Sequence, residues 1–332
     1  MTDETILSVK ELRTWFHGAE GIVKAVDGIS FDLHRGEILG IVGESGSGKS
    51  VTNLSILKLI QSPPGYIESG EVLYGGQDLL KLSAEELRRV RGGRIAMIFQ
   101  DPMTSLNPYL RISAQMIETI RLHQGLDRKA ARIKAIDTLR LAGILMAEKR
   151  IDQYPHQFSG GMQQRVMIAL ALSCDPEILI ADEPTSALDV TIQAQILDLI
   201  KDLNARLGMA VILISHSLGV VAGMCDTICV MYAGRIIERG PTDGLFENAS
   251  HPYTQGLIKA VPRLDKKSGE RLFSIPGQPP NPVGLGDSCA FHPRCDRTMD
   301  ICRRQRPDPV DLGTGHFVSC WLHQEGHREV HP

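Results

Sequence analysis

The stretch GESGSGKS, residues 43–50, carries side chains suited to binding a phosphorylated ligand. It matches the pattern G-x-x-x-x-G-K-[ST], in which glycines let the backbone wrap a phosphate with its N–H groups pointing inward. Lys49 can reach the β- and γ-phosphates of a nucleotide, and the Ser50 hydroxyl can bind Mg²⁺. A helix is predicted to begin near Lys49, and its N-terminus adds partial positive charge. The predicted nucleotide-binding residues are Gly43, Glu44, Ser45, Gly46, Ser47, Gly48, Lys49, Ser50 and Val51.

Two acids at the end of an apolar segment, ILIADEP, supply the second half of such a site. A phosphate loop of this kind needs an acid on a neighbouring strand to hold Mg²⁺ through water, and we assign that role to Asp182. Glu183 follows at the carboxyl end of the predicted strand. A carboxylate there can polarise an attacking water, so we assign Glu183 as the general base. The alternative is that one of the two acids caps a helix.

A second candidate anion site lies in FSGGMQQRV, residues 158–166. Ser159, Gly160 and Gly161 open a predicted helix with a hydroxyl, unobstructed backbone amides and a favourable helix dipole. One subunit does not need a second anion-binding helix N-terminus for the same phosphate. The arrangement makes sense if it caps the nucleotide of another subunit, and an ordinary helix cap is the alternative.

Two further polar residues end predicted strands. His216 follows VILIS, where it could contact the γ-phosphate, although a histidine at a strand end is usually structural. Gln100 ends RIAMIFQ, where a glutamine usually caps a loop. The residues by themselves leave both assignments open.

The elements that must position these residues follow an α/β order. Residues 7–43 predict short strands, and the continuous apolar runs at 177–183 and 210–216 predict central parallel strands. Helices are predicted over 112–143, 159–173 and 189–207, the last with Asp189 as N-cap. The segment TICVMYAGRIIERG predicts a hairpin that turns at Ala233–Gly234. The result is a mostly parallel sheet with an antiparallel portion. Beyond about residue 263 the segment SIPGQPPNPVGLG predicts irregular structure.

Composition excludes several classes of protein. The 332 residues carry a net charge of −3, whereas a nucleic-acid-binding protein usually has a strong basic excess. The longest apolar stretches, such as MAVILI, are far shorter than the roughly 20 residues of a membrane span. The N-terminus lacks the layout of a signal peptide, so we expect a cytosolic chain whose cysteines are thiols or metal ligands.

With these residues in place, the chain resembles the nucleotide-binding subunit of an ATP-binding-cassette (ABC) transporter. The resemblance covers about residues 5–263 and implies a RecA-like P-loop core with an antiparallel β subdomain and a helical subdomain at about 101–172. It rests on six motifs in the family's order: GESGSGKS (Walker A), Gln100 (Q-loop), SGGMQQ (signature), ILIADE (Walker B), SALD at 186–189 (D-loop) and His216 (switch histidine).

The resemblance implies roles for these residues. Two cassettes pair head to tail, and each ATP lies between one Walker A motif and the opposite signature. Gln100 links the γ-phosphate and Mg²⁺ site to the membrane subunits, and an aromatic residue ahead of Walker A stacks on adenine. We assign Phe16 to that contact, with Trp15 as the second candidate. The residues assigned to the partner's ATP are Ser159, Gly160, Gly161 and Gln163, and those of the D-loop are Ser186, Ala187, Leu188 and Asp189.

The sequence departs from the family's pattern at two positions. Phe158 stands where a leucine usually precedes the signature, a hydrophobic exchange that should be tolerated. Ser217 stands where an aspartate usually follows the histidine, so any contact of that aspartate is lost. The predicted catalytic residues are intact, and we expect a hydrolytically competent ATPase.

More particular segments, including IFQDPMTSLNPYLRI and HPYTQGL, are similar to the dipeptide/oligopeptide (and nickel) importer branch, especially its dipeptide-permease type. The resemblance implies a peripheral subunit on the cytoplasmic face of the inner membrane. Its implied partners are two membrane permeases, a second ATPase, with a heterodimer favoured over a homodimer, and indirectly a substrate-binding protein. Residues 101–118 would help to line the permease groove. The alternatives are a non-transport ABC ATPase switch and a redox-sensing protein, and the sequence does not name the solute.

The chain ends in a cysteine cluster, DSCAFHPRCDRTMDIC followed by a fourth cysteine. Four thiolates can hold a tetrahedral zinc ion or an iron–sulfur cluster, and four unliganded thiols are the alternative. The segment resembles the C-terminal extension of dipeptide-permease-type ATPases, which implies a [4Fe–4S] cluster over zinc. We therefore expect an irregular, metal-bound extension at 264–332. The predicted ligands are Cys289, Cys295, Cys302 and Cys320.

Overall fold

The computed structural model describes residues 4–99, 105–186, 188–261 and 273–324. The strands, in chain order, are β1 Thr5–Gly18, β2 Gly21–His34, β3 Ile38–Val42, β4 Gly65–Tyr74, β5 Gln77–Asp78, β6 Ile95–Ile98, β7 Ile178–Asp182, β8 Ala210–Ser215, β9 Thr227–Tyr232, β10 Arg235–Pro241, β11 Val310–Asp311 and β12 Phe317–Val318. The α-helices are Lys49–Ile56, Ala84–Val90, Ile112–Gln124, Arg128–Leu141, Ala147–Arg150, Gly160–Leu172, Val190–Leu207, Leu218–Ala222, Thr242–Glu247 and Pro252–Ala260. No helix in this part of the chain is long and apolar enough to cross a membrane.

The chain divides into two compact units. The phosphate-loop unit comprises residues 5–33, 39–80 and 215–332. The helical unit comprises residues 1–4, 34–38 and 81–214. The predicted combination of parallel strands, antiparallel strands and a helical portion is confirmed.

The phosphate-loop unit contains an antiparallel sheet with the order β2-β1-β4-β5. The strands predicted in this region are present, but the first two have 14 residues each and are longer than expected. The pairing of β1 with β4 shifts register on both sides of Arg13. A shift of this kind interrupts the alternation of apolar and polar residues, which is the sequence signal of a long strand.

The same unit contains the strand that leads into the phosphate loop. Strand β3 is buried along its whole length and pairs in parallel with β9. Strands β9 and β10 form the predicted hairpin, and both turn residues, Ala233 and Gly234, have positive φ.

Two strands of the extension join this hairpin. Strand β12 pairs with β10, and β11 pairs with β12. The extension was predicted to be irregular, yet it adds two short strands to the hairpin. Strands of two residues are too short to show an alternation of apolar and polar residues in the sequence.

The helical unit contains three parallel strands with β7 between β6 and β8. Every residue of β7 and β8 is buried, which explains their continuous apolar sequence. Its helices pack around an apolar core that includes Met116, Leu139 and Phe158. The predicted helix 112–143 is two helices, because Gly125 ends the first in the left-handed conformation and Asp127 caps the second.

Candidate functional site

The phosphate loop joins β3 to the helix Lys49–Ile56, as the sequence predicted. Close backbone packing explains two of its glycines. A Cβ at Gly43 would lie 2.3 Å from the Met231 carbonyl oxygen, and one at Gly48 would lie 2.2 Å from that of Ala25. Gly48 also has a φ of 103°, a backbone conformation that residues with a side chain rarely adopt. Only glycine therefore lets the chain turn here.

Lys49 lies inside this turn. Its side chain is buried, and its Nζ donates to the carbonyl oxygens of Gly43 (2.8 Å) and Glu44 (2.9 Å). The ammonium group is thus held over the loop, where a polyphosphate would meet it. Ser45 and Ser50 are exposed, whereas Ser47 Oγ is buried without a hydrogen-bond partner among the described residues.

A cavity of about 430 Å³ adjoins the loop. Loop residues 44–48 and Val51 form one side of it, and Phe16 of β1 lies on its wall. Trp15 is not part of that wall, and its ring lies 5.2 Å from Lys24 Nζ. Because successive strand residues point to opposite faces, only one of the two aromatic rings can face the cavity. The placement supports Phe16 as the adenine contact.

The acids of ILIADEP end strand β7 in the helical unit. Asp182 is the last strand residue and is buried. Glu183 has φ of 46°, an uncommon conformation for a residue with a side chain. Its N–H donates to the Ile214 carbonyl oxygen (3.1 Å), and its carbonyl oxygen accepts from the Ser186 N–H and hydroxyl. Strained positions that neighbours hold in this way are common at functional sites.

The D-loop follows these acids directly. Ser186 bonds back to Glu183, and Leu188 N–H donates to the Thr185 carbonyl oxygen (3.4 Å). Asp189 is the N-cap of the helix Val190–Leu207, as predicted, although its side chain makes no capping hydrogen bond. Ala187 lies outside the described residues.

The signature opens the helix Gly160–Leu172 with Ser159 as N-cap. Ser159 and Gly160 are exposed, so they are accessible to a ligand of another subunit. Gly161 packs tightly, because a Cβ there would lie 2.9 Å from Ile192 Cγ2. Gln163 instead donates its side-chain amide to the carbonyl oxygens of Pro155 (2.9 Å) and Phe158 (3.3 Å). In this structure Gln163 orders the turn before the signature.

Of the two polar residues predicted at strand ends, the structure describes His216 but not Gln100. His216 follows β8 and is exposed. The N–H of Ser217, which replaces the usual aspartate, donates to Ser215 Oγ (3.0 Å) and so fixes the turn after the histidine. Gln100 lies outside the described residues.

The predicted cysteine ligands converge in the extension. All four line one cavity of about 20 Å³ and are free thiols: Cys289, Cys295, Cys302 and Cys320. The N–H of Cys289 donates to the carbonyl oxygen of Cys302 (2.9 Å). Burial raises the pKa of Cys289 to about 11 and that of Cys320 to about 12. Within the described ranges no group of three or more His, Cys, Asp or Glu side chains is placed to hold a metal ion, so neither the predicted iron–sulfur cluster nor the zinc alternative is shown.

Two residues that the sequence did not assign reach the phosphate loop. The Glu44 N–H donates to Tyr253 Oη (2.9 Å), and the Glu44 carboxylate pairs with Arg294. Tyr253 lies in the segment HPYTQGL and Arg294 in the segment DSCAFHPRCDRTMDIC, both quoted above. Nothing in the local pattern of either segment indicates a partner some 200 residues earlier.

Two family models match this chain. The model described as "ABC transporter" matches residues 26–186, and the model described as "Oligopeptide/dipeptide transporter, C-terminal region" matches residues 237–302. The second match includes three of the four extension cysteines.

Similar proteins include two from Bacillus subtilis (strain 168). The oligopeptide transport ATP-binding protein OppD is 48% identical over 98% of this chain and 91% of its own length. The dipeptide transport ATP-binding protein DppD is 48% identical over 97% of this chain and 96% of its own length. Among solved structures, the dimeric bacterial ABC transporter cassette MJ0796 matches 71% of this chain and 98% of its own chain, with a TM-score of 0.63 and 28% identity.

Proposed function

Because this chain belongs to the family of ATP-binding proteins of oligopeptide and dipeptide ABC transporters, we propose that it hydrolyses ATP to power the import of small peptides through a membrane permease pair. The observation that carries the proposal is the buried Lys49 ammonium held over a glycine-constrained loop beside a cavity of about 430 Å³. The family supplies the peptide class of the cargo.

ATP binding and hydrolysis divide among the residues as follows. The loop amides and Lys49 bind the β- and γ-phosphates, and Phe16 stacks on adenine. Oxygen donors suit Mg²⁺, which would screen the phosphate charge when held by Ser50, by Gln100 and, through water, by Asp182. Glu183 accepts a proton from the attacking water, and the remaining acceleration comes from positioning and charge stabilisation.

A second cassette completes each ATP site. The exposed Ser159 and Gly160 offer a hydroxyl and a helix N-terminus to the partner's nucleotide. Gly161 lets this helix pack closely against Ile192, and Gln163 orders the turn ahead of it. His216 contacts the γ-phosphate, and the D-loop residues adjoin the partner. A related but distinct chain is the proposed partner, which makes the pair a heterodimer.

Permease contacts are proposed for residues 101–118, of which 101–104 lie outside the described residues. Tyr109 is 86% exposed, although it is a large aromatic residue. It lies with Leu110, which is also exposed, on a groove of about 940 Å³ in the helical unit. Exposed apolar side chains beside a groove favour a protein contact. We place the subunit at the cytoplasmic face of the inner membrane, with a substrate-binding protein delivering the cargo.

Transport is tested with the intact complex. When the tagged chain is purified from its own cells in mild detergent, two permeases and a second cassette should co-purify with it. Proteoliposomes made from that complex, supplied with the substrate-binding protein, should accumulate a labelled tripeptide only when ATP is present on the cassette side. A complex that carries Lys49→Ala is the matched control. ATP-dependent uptake of nickel without uptake of peptide would contradict the peptide assignment.

The extension is proposed to hold a [4Fe–4S] cluster through Cys289, Cys295, Cys302 and Cys320. Their convergence on one cavity supports this, since each cysteine of such a cluster binds a different iron atom. The Fe–S bonds would crosslink a segment too small to form its own core.

Anaerobically purified protein should contain about four irons per chain and absorb at about 400 nm. Cys295→Ser should reduce the iron content and the absorbance, because it removes one ligand. Cys174→Ala, which removes a buried thiol outside the extension, should retain both. One zinc per chain with no iron would refute the cluster.

A further inference from the structure

The cavity beside the phosphate loop has a wall that no ABC motif supplies. Pro279, Pro280, Pro282 and Leu285, all from the extension, line it together with the loop and Phe16. Their apolar rings and side chains are suited to packing against the face of a planar base. The extension and the core of the phosphate-loop unit therefore line the same cavity.

This wall is fixed to the edge strand of the antiparallel sheet. Val283 forms an antiparallel bridge with Val23 of β2, and the Gly284 N–H donates to the Ile22 carbonyl oxygen (3.5 Å). Val283 also packs against Gly21, where an added Cβ would lie 2.9 Å from Val283 Cγ1. The segment is thus docked on the sheet that carries Phe16.

A second contact joins the extension to the phosphate loop itself. The Arg294 side chain is only 4% exposed, and its guanidinium donates to both oxygens of Glu44 (2.6 and 3.0 Å). Such a two-bond pair is geometrically specific. Arg294 Nε also donates to the Pro276 carbonyl oxygen (2.9 Å), just before the proline wall. Arg294 directly precedes Cys295, so one residue links the wall, the loop and the cysteine segment.

The backbone of Glu44 is held from the same side. Its N–H donates to the Oη of Tyr253, which is fully buried and packs against Phe291 of the extension (5.4 Å between ring centroids). The backbone and the carboxylate of one loop residue are therefore both held by residues from the last 80 positions of the chain. A loop that binds phosphate through backbone N–H groups depends on its conformation, so these contacts bear on ligand affinity.

We propose that the C-terminal extension completes the nucleotide site of this subunit: Pro279–Leu285 form the wall that faces the purine base, and Arg294 positions the phosphate loop through Glu44. The proposal rests on the proposed function, because it assumes that the cavity takes ATP. Arg294 is a positioning residue, whereas the wall residues contact the base.

The two parts of the proposal give different binding signatures. Binding to full-length protein is measured with a fluorescent methylanthraniloyl ATP and by its competition with ATP and with inorganic tripolyphosphate. Arg294→Gln should weaken the binding of both competitors roughly 10- to 100-fold, the range that follows when a group orienting a metal ligand is removed. Leu285→Ser should weaken the binding of ATP about tenfold and leave the binding of tripolyphosphate unchanged, because tripolyphosphate has no base to contact the wall.

The controls separate this proposal from the function on which it rests. Arg304→Gln alters an exposed arginine of the same extension and should bind both competitors like the unmodified protein. In a Glu44→Gln background, Arg294→Gln should have little further effect, because their pairing is already lost. If Arg294→Gln does not fold, Leu285→Ser decides, since its site is a partly exposed loop. Unmodified protein that binds no ATP would refute the proposed function, whereas Arg294→Gln and Leu285→Ser proteins that bind like Arg304→Gln would overturn this inference alone.

Discussion

Lys49→Ala should weaken ATP binding by at least about 100-fold, since hydrogen bonds to charged groups contribute roughly 1.5–3 kcal/mol each and Lys49 is expected to meet two phosphates. The ammonium is buried over the loop and is bonded to the carbonyl oxygens of Gly43 and Glu44. Alanine removes the charge that the phosphates would meet and leaves the glycine turn intact. The dissociation constant is measured by titration of a fluorescent ATP analogue.

The control for this substitution is Lys129→Ala, which removes an exposed lysine from a helix of the helical unit. It should bind the analogue with unchanged affinity. The melting temperature of both variants is measured without nucleotide, so that a loss of folding is not mistaken for a loss of contact. A folded Lys49→Ala protein with micromolar affinity would argue against Lys49 as the phosphate contact.

The nucleotide-binding loop and the acidic strand were predictable because their signals are local. Strands β7 and β8 are buried on both faces, so their sequences are continuous apolar runs that end in polar residues. The glycines of the loop form a recognisable motif within eight residues, although the packing that requires Gly43 and Gly48 comes from the distant Met231 and Ala25. Each signal lies within one short segment of the chain.

Features that depend on distant residues were not predictable in this way. Arg294 and Glu44 are 250 positions apart, and an arginine in a cysteine-rich tail gives no sign of its partner. The positive φ of Glu183 is likewise invisible, because the sequence states the side chain but not the backbone conformation that neighbours impose. Tertiary contacts decide both, so the sequence predicted the side chains of the candidate site but not the contacts that hold them.

Glu183→Gln should lower the rate of ATP hydrolysis about 10²- to 10⁴-fold, the range that a general base contributes. Glutamine keeps the size of the side chain and the hydrogen bonds of the backbone at φ of 46°, so ATP binding should persist. Because bound ATP is then not consumed, the closed dimer with the second cassette should accumulate. Phosphate release measures the rate, fluorescent-nucleotide titration measures binding, and size-exclusion chromatography with ATP measures the dimer.

Glu247→Gln, which neutralises an exposed acid of the phosphate-loop unit, should hydrolyse ATP normally and thereby excludes a general effect of lost charge. The informative comparison is between the effect of Glu183→Gln on nucleotide affinity and its effect on the rate of hydrolysis. A base removed from an intact site affects turnover alone, whereas a collapsed strand end would weaken nucleotide binding as well, because Asp182 is the neighbouring residue. Turnover within about threefold of the unmodified protein would contradict the assignment of Glu183, since general base catalysis is worth far more than that.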